Sequence, residues 1–172
     1  PIPDTKRDAF RAAWSATFDE LEGARRGLVM RDFHSPNILW QSAETGSARI
    51  GLLDFQDAMI GPVAYDLASL AQDARVDMPL ELEEAVSAAY LEEAQDIDPA
   101  FDAEMHAAQY AIMASQRATK LLGLFVRLHE RDGKPQYLRH IPRIQTYLKR
   151  SLMHPANARL KAIYDDWGVT GA

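Results

Sequence analysis

Apolar residues recur at helical spacing from the start of the chain, where Phe10, Trp14, Phe18 and Leu21 fall on one stripe behind Thr5 and Asp8, a pair that fits a capping box. That pattern predicts a first helix over about residues 5–22, with Gly23 and Gly27 bracketing its exit. The period then shortens. Apolar runs at 28–30, 37–40 and 49–53, separated by polar turns, predict short strands lying side by side, two of them a hairpin around Gly46. From Gly61-Pro62 the spacing is helical again, with Val63, Leu67, Leu70, Ala71 and Ala74 on one face and proline suited to the first turn. Further helices are predicted over about 80–94, 99–130 and 135–153, with Met105, Ile112 and Met113 as core positions. A last helix carries Leu160, Ile163, Tyr164 and Trp167 on one stripe, with Gly168 as its stop. The expected class is α+β and predominantly helical. Residues 1–75 form a helix plus a small β patch, and residues 76–172 form a helical bundle.

Composition narrows the setting. With 172 residues, 47% of them hydrophobic, the chain is long enough for one domain with a core. A net charge of −6 argues against a nucleic-acid or anionic-membrane surface, because such partners are held by clustered Lys and Arg. The absence of cysteine excludes disulfides and thiolate metal sites, so the expected location is the cytoplasm. No apolar run approaches the ~18 residues of a membrane span. The start PIPDTKRDAF lacks the apolar core of a signal peptide and does not begin with methionine, which points to a cut or processed start.

Candidate chemistry is concentrated in the β patch. Asp32 and Asn37 lie five residues apart in RDFHSPN, and Asp54 follows the next strand but one, so the ends of neighbouring short strands would bring their oxygens together. Carboxylate and amide oxygens are hard ligands that suit Mg²⁺, which keeps water and takes phosphate oxygens as well. A carboxylate beside such a metal can accept a proton from an attacking hydroxyl. Positioning, charge neutralisation and an oriented nucleophile are what phosphoryl transfer from a metal-nucleotide requires.

RDFHSPN, LLDFQDA and GPVAYDLASL together resemble the catalytic segment of the aminoglycoside phosphotransferase family, small-molecule kinases with a protein-kinase-like fold. The resemblance is dense from Leu28 to about Ala71. It implies that residues 1–172 are the C-terminal catalytic lobe, that Asp32 is the catalytic base, and that Asn37 and Asp54 bind Mg²⁺ and through it ATP. It also implies that Asp66 tethers the catalytic loop. The later stretch QRATKLLGLFVRLHERDGKPQYLRHIPR resembles the bacterial cell-wall amino-sugar kinases of this family, whose acceptors are N-acetylmuramate and N-acetylglucosamine. Two departures stand out. Met30 occupies the place of the histidine that usually braces the loop, and a methionine donates no such hydrogen bond. The chain has no glycine-rich loop and no valine-alanine-x-lysine strand, so the nucleotide-clamping N-terminal lobe is expected to be missing and the fragment alone inactive.

Other residues carry plainer readings. Asp57 reads as a structural carboxylate ordering the loop after Asp54, with a supplementary metal acid as the alternative. His34 stays open between a contact to substrate or phosphate and a hydrogen-bonded brace. Asp66, in a first helical turn, would also be stabilised there by the helix dipole. His106, His129, His140 and His154 lack metal-ligand spacing and read as helix-surface residues. Glu81, Glu83, Glu84, Glu92 and Glu93 read as a solvated helix face rather than a trap for a cationic antibiotic. That favours a neutral or anionic sugar, whose carboxylate Arg117 or Lys120 could meet. The expected activity is transfer of the ATP γ-phosphoryl group to a hydroxyl of an amino sugar. The alternatives are an aminoglycoside antibiotic phosphotransferase and a catalytically decayed kinase-like binding module.

Overall fold

The computed structural model describes residues 2–170. In chain order its elements are α1 (Asp4–Asp19), β1 (Arg26–Val29), β2 (Ile38–Trp40), β3 (Ile50–Leu52), β4 (Met59–Pro62), α2 (Ala64–Ala71), α3 (Leu80–Ile97), α4 (Ala103–Asp132), α5 (Ile141–Ser151) and α6 (Ala158–Asp166). They form two compact units. One takes the chain up to Ala24 and again from Glu104; the other takes Arg25–Ala103.

In the first unit, α1 starts one residue before the expected capping box. Pro3 stands at the cap with its carbonyl accepting the N–H groups of Lys6 and Arg7, and no side chain caps the helix. The helix packs on α6 through aromatic rings: Phe10 stacks on Trp167 at 5.6 Å, and Trp14 Nε1 donates to the Tyr164 hydroxyl at 3.2 Å. Burial pushes the Tyr164 hydroxyl pKa up, against the pull of hydrogen bonds from Thr119 and Trp14. Asn157, fully buried, donates from Nδ2 to the carbonyls of Ala111 and Ser151 and to Ser115 Oγ, which ties α4 to the chain ahead of α6. The helix expected over 135–153 is divided. A 3-10 turn, Pro135–His140, precedes α5, whose first turn holds Pro142. His106 and His140 are buried, not on the surface as expected, and the His140 ring lies 5.8 Å from Phe125. Burial lowers the His106 pKa. Ile112 and Met113 are core as expected, whereas Met105 is 44% exposed.

In the second unit, β2 and β3 make the expected antiparallel hairpin, Ile38 opposite Leu52 and Trp40 opposite Ile50, with Gly46 in the connecting turn. β1 does not join them. It pairs antiparallel with β4, giving two separate two-stranded ladders instead of strands side by side. β4 occupies Gly61-Pro62, read above as a helix opening, and α2 begins only at Ala64. Gly27 faces Gly61 across the ladder, and a Cβ at Gly27 would stand 3.0 Å from Val63 Cγ1, so a larger residue there would need the Val63 side chain to shift. α3 is mostly solvated, but Glu83 is buried and accepts from Gln72 Nε2 at 2.7 Å, against the reading of that acidic run as wholly exposed.

Candidate active site

The chain leaves β1 at Val29 into a loop whose backbone is held from behind. Arg31 has φ 70°, a left-handed conformation that costs a non-glycine residue about 1–2 kcal/mol. What sustains it is Asp66, in the first turn of α2, whose carboxylate accepts the consecutive N–H groups of Met30 at 2.6 Å and Arg31 at 3.0 Å. Met30 therefore takes part in bracing the loop through its backbone. Tight turns follow: Asp32 N–H donates to the Met30 carbonyl, His34 N–H to that of Asp32, and Asn37 N–H to that of His34.

Asn37 closes the constellation. Its Nδ2 donates to the Asp32 carbonyl at 3.0 Å and lies 3.4 Å from Asp54 Oδ2, while Leu53 N–H donates to the Asn37 carbonyl at 2.9 Å. Asp54, just past β3, is exposed, has φ 59°, and accepts from Gln56 Nε2 at its other oxygen. Two left-handed non-glycine residues, Arg31 and Asp54, thus flank the group of polar side chains. The Asp32 carboxylate is half-buried, and among the described residues no group donates to it. The oxygens that point to chemistry are accordingly the Asp32 carboxylate, the Asn37 amide oxygen and the Asp54 carboxylate.

Supporting residues are distributed around this group. Asp57 is exposed, and its carbonyl, rather than its carboxylate, accepts from Arg31 Nη1 at 3.4 Å. His34 is 4% exposed, and its Nε2 lies 2.6 Å from Arg75 Nη1; since arginine only donates, Nε2 accepts. Asp73, which sequence reasoning passed over, is 1% exposed and accepts the Ser35 N–H at 3.0 Å, the Ser35 hydroxyl and the Arg75 N–H at 2.8 Å. Burial alone would raise its pKa. The hydrogen bonds from the Ser35 hydroxyl and the Arg75 and Ser35 amides, with the nearby His34, outweigh it and hold the carboxyl below the usual range. One signal could have found it: Asp73 stands seven residues, about two helical turns, after Asp66.

Asp73 has a consequence for stability against pH. Its folded-state pKa lies below its unfolded value of ~3.9, so its contribution is present above that value and is lost as pH falls through the lowered one. Asp73→Asn should cost roughly 1–3 kcal/mol near neutral pH, and the gap to the unaltered protein should close below about pH 4. Urea unfolding of both proteins at pH 3 to 7 measures it; a gap independent of pH would contradict the assignment.

The donor set can be tested against a metal. Among the described residues no three His, Cys, Asp or Glu side chains group as a metal cage. The Asn37 amide oxygen and the Asp54 carboxylate, on two side chains linked by an Nδ2–Oδ2 contact of 3.4 Å, make an incomplete all-oxygen shell. That set fits Mg²⁺ carried in with phosphates and water, and does not fit a structural zinc or calcium.

Comparison with known proteins gives the family. The model of the phosphotransferase enzyme family matches residues 2–105. The N-acetylmuramate/N-acetylglucosamine kinase of Caulobacter vibrioides is 38% identical over 157 residues, covering 91% of this chain and 42% of that protein. The kinases of the same name from Pseudomonas putida and Neisseria meningitidis serogroup B are 35% identical over 150 residues and 36% identical over 148, again covering 43% and 42% of those proteins. The chain spans about two-fifths of the length of the curated relatives it matches. With the family model matched over more than half of its residues and the kinase-like loop in the same segment, the chain belongs to the phosphotransferase enzyme family.

Proposed function

We propose that this chain is the catalytic, C-terminal lobe of an ATP-dependent phosphotransferase that phosphorylates a hydroxyl of an amino sugar of the N-acetylmuramate or N-acetylglucosamine kind. The observation that carries the reading is the position of Asn37, whose amide nitrogen meets the Asp32 main chain and the Asp54 carboxylate at once. It holds a base without an internal donor beside an oxygen pair that suits Mg²⁺. The names of the relatives supply the acceptor class.

In this mechanism Asp32 orients the acceptor hydroxyl and takes its proton as the oxygen bonds to the γ-phosphorus of ATP, whose bond to the β–γ bridging oxygen breaks to release ADP. Asn37 Oδ1 and the Asp54 carboxylate would hold Mg²⁺. ATP with its Mg²⁺ supplies the transferable phosphoryl group and the neutralising charge. Asp66 keeps Arg31 in its left-handed turn, Asp73 keeps Ser35 in place, and His34, packed on Arg75, fills the space beneath the loop. Asp57 steadies the far side through its carbonyl. The ATP requirement accords with a cytoplasmic setting, and among the described residues no helix is long and apolar enough to cross a membrane.

The test is an assay of the full-length protein with ATP and Mg²⁺ against N-acetylmuramate, N-acetylglucosamine and a kanamycin-type antibiotic. Turnover of the sugars is expected. Turnover of the antibiotic alone would make it an antibiotic phosphotransferase, and nucleotide binding with no transfer to any acceptor would make it a decayed module.

A further inference from the structure

Arg31 holds a backbone conformation that suits glycine better than arginine. Its φ of 70° lies in the left-handed region, where a glycine sits without strain and a residue with a Cβ does not. The amides of Met30 and Arg31 donate to Asp66, and those two bonds would form with any side chain at position 31. A strained residue beside a site points to work done by its side chain. Arg31 Nη1 donates to the Asp57 carbonyl at 3.4 Å, and the guanidinium forms no other hydrogen bond or ion pair with any described residue.

The segment that receives this bond has little else to hold it. Residues 54–57 are exposed, and Phe55, at 62%, is no part of a core. Asp54 meets Asn37 at one end of the segment, and the ladder with β1 begins again at Met59, opposite Val29. Between those points the bonds are internal, Gln56 Nε2 to Asp54 and the Ala58 N–H to the Phe55 carbonyl. Among the described residues, the bond from Arg31 is the one hydrogen bond that reaches residues 55–58 from elsewhere in the chain. It joins the residue before Asp32 to the segment after Asp54, and so bridges the two left-handed turns, at Arg31 and Asp54.

We propose that Arg31 is a positioning residue whose guanidinium latches the segment after Asp54 to the loop that bears Asp32, and so sets the Asp54 carboxylate beside the Asn37 amide for Mg²⁺. The proposal rests on the phosphotransferase reading above and adds to it the residue that spaces the base from the metal ligand. Arg31 acts here through Asp54, with no part in moving the phosphoryl group or the proton.

Three variants of the full-length protein separate the side chain from the backbone. Arg31→Gly removes the latch and the strain together. Arg31→Asn removes the latch but accepts the left-handed backbone, and Arg31→Lys keeps a donor on a long stem. Glycine and asparagine should each raise the Mg²⁺ concentration giving half the maximal rate by about twofold to tenfold, the worth of one hydrogen bond. At saturating Mg²⁺ kcat should stay within about twofold, and lysine should restore most of the Mg²⁺ dependence. Arg31→Gly should melt no lower than the unaltered protein, because relief of strain offsets the added freedom of the unfolded chain. An unchanged Mg²⁺ dependence in the glycine variant, or a lysine variant as poor as glycine, would overturn the proposal.

Amide hydrogen exchange of Gln56, Asp57 and Ala58, measured without nucleotide or metal, gives a second readout. Exchange should be faster in the glycine and asparagine variants and near the original rate with lysine. Should Arg31→Gly fail to fold, asparagine against lysine decides on both readouts. Faster exchange in a protein that turns over neither sugar sinks the kinase reading and leaves the latch; exchange equal in all four proteins overturns the latch.

Discussion

Asp32→Asn should lower kcat of the full-length enzyme by about 10²–10⁴-fold, the usual worth of a positioned base, with KM for ATP nearly unchanged. The geometry explains why the loss falls on the chemical step. Among the described residues nothing donates to the Asp32 carboxylate, and the loop is held through the Asp32 backbone: its N–H bonds to Met30, and its carbonyl accepts from His34 N–H and Asn37 Nδ2. Replacing the carboxylate by an amide removes the proton acceptor and leaves those ties in place. The melting temperature should therefore stay within a degree or two of the unaltered protein, as for substitutions away from buried networks. A kcat within tenfold of the original would take the base away from Asp32.

Asp54→Asn should show a different signature, a higher Mg²⁺ requirement together with weaker nucleotide binding. Loss of one of two protein ligands should weaken the metal by at least the 10–100-fold typical of outer-shell changes, with kcat at saturating nucleotide but limiting Mg²⁺ falling in step. Asparagine is the informative replacement, because it accepts the left-handed backbone that Asp54 adopts at φ 59°. Alanine would add conformational strain of about 1–2 kcal/mol and confuse the two effects. Titrating the rate with Mg²⁺ at fixed ATP is the measurement. A Mg²⁺ dependence identical to that of the unaltered enzyme would remove Asp54 from the metal shell.

The residues behind these two expectations were legible because their relation is short-range. Asp32 and Asn37 share one loop, and Asp54 follows a hairpin whose turn chemistry around Gly46 can be read directly. β4 was not legible. Met59–Pro62 is four residues ending in proline, a pattern that also opens helices, and only its pairing with β1 thirty or so residues earlier makes it a strand. The stop between α3 and α4, expected over 95–98, falls over 98–102 for a local reason. The Asp98 carboxylate accepts the Ala100 N–H at 3.1 Å and its carbonyl accepts that of Phe101, a turn that defers α4 to Ala103. Burial of polar groups was least legible. Glu83, His106 and Asp73 are indistinguishable from surface residues until their neighbours are known, and Met105 errs the other way.

The loop bearing Asp32 is tied at two points to one short stretch of chain: Met30 and Arg31 to Asp66 in the first turn of α2, and Ser35 to Asp73 just past its end. Helical rise accounts for about 7.5 Å of the distance between those two carboxylates, over the five residues from Asp66 to Ala71, and the turn after the helix places Asp73. α2 is thus a gauge for the loop. Between Arg31 and Ser35 the number of residues is fixed: one residue added or removed would release a carboxylate at one end, and the loop would lose its shape before it lost any functional group.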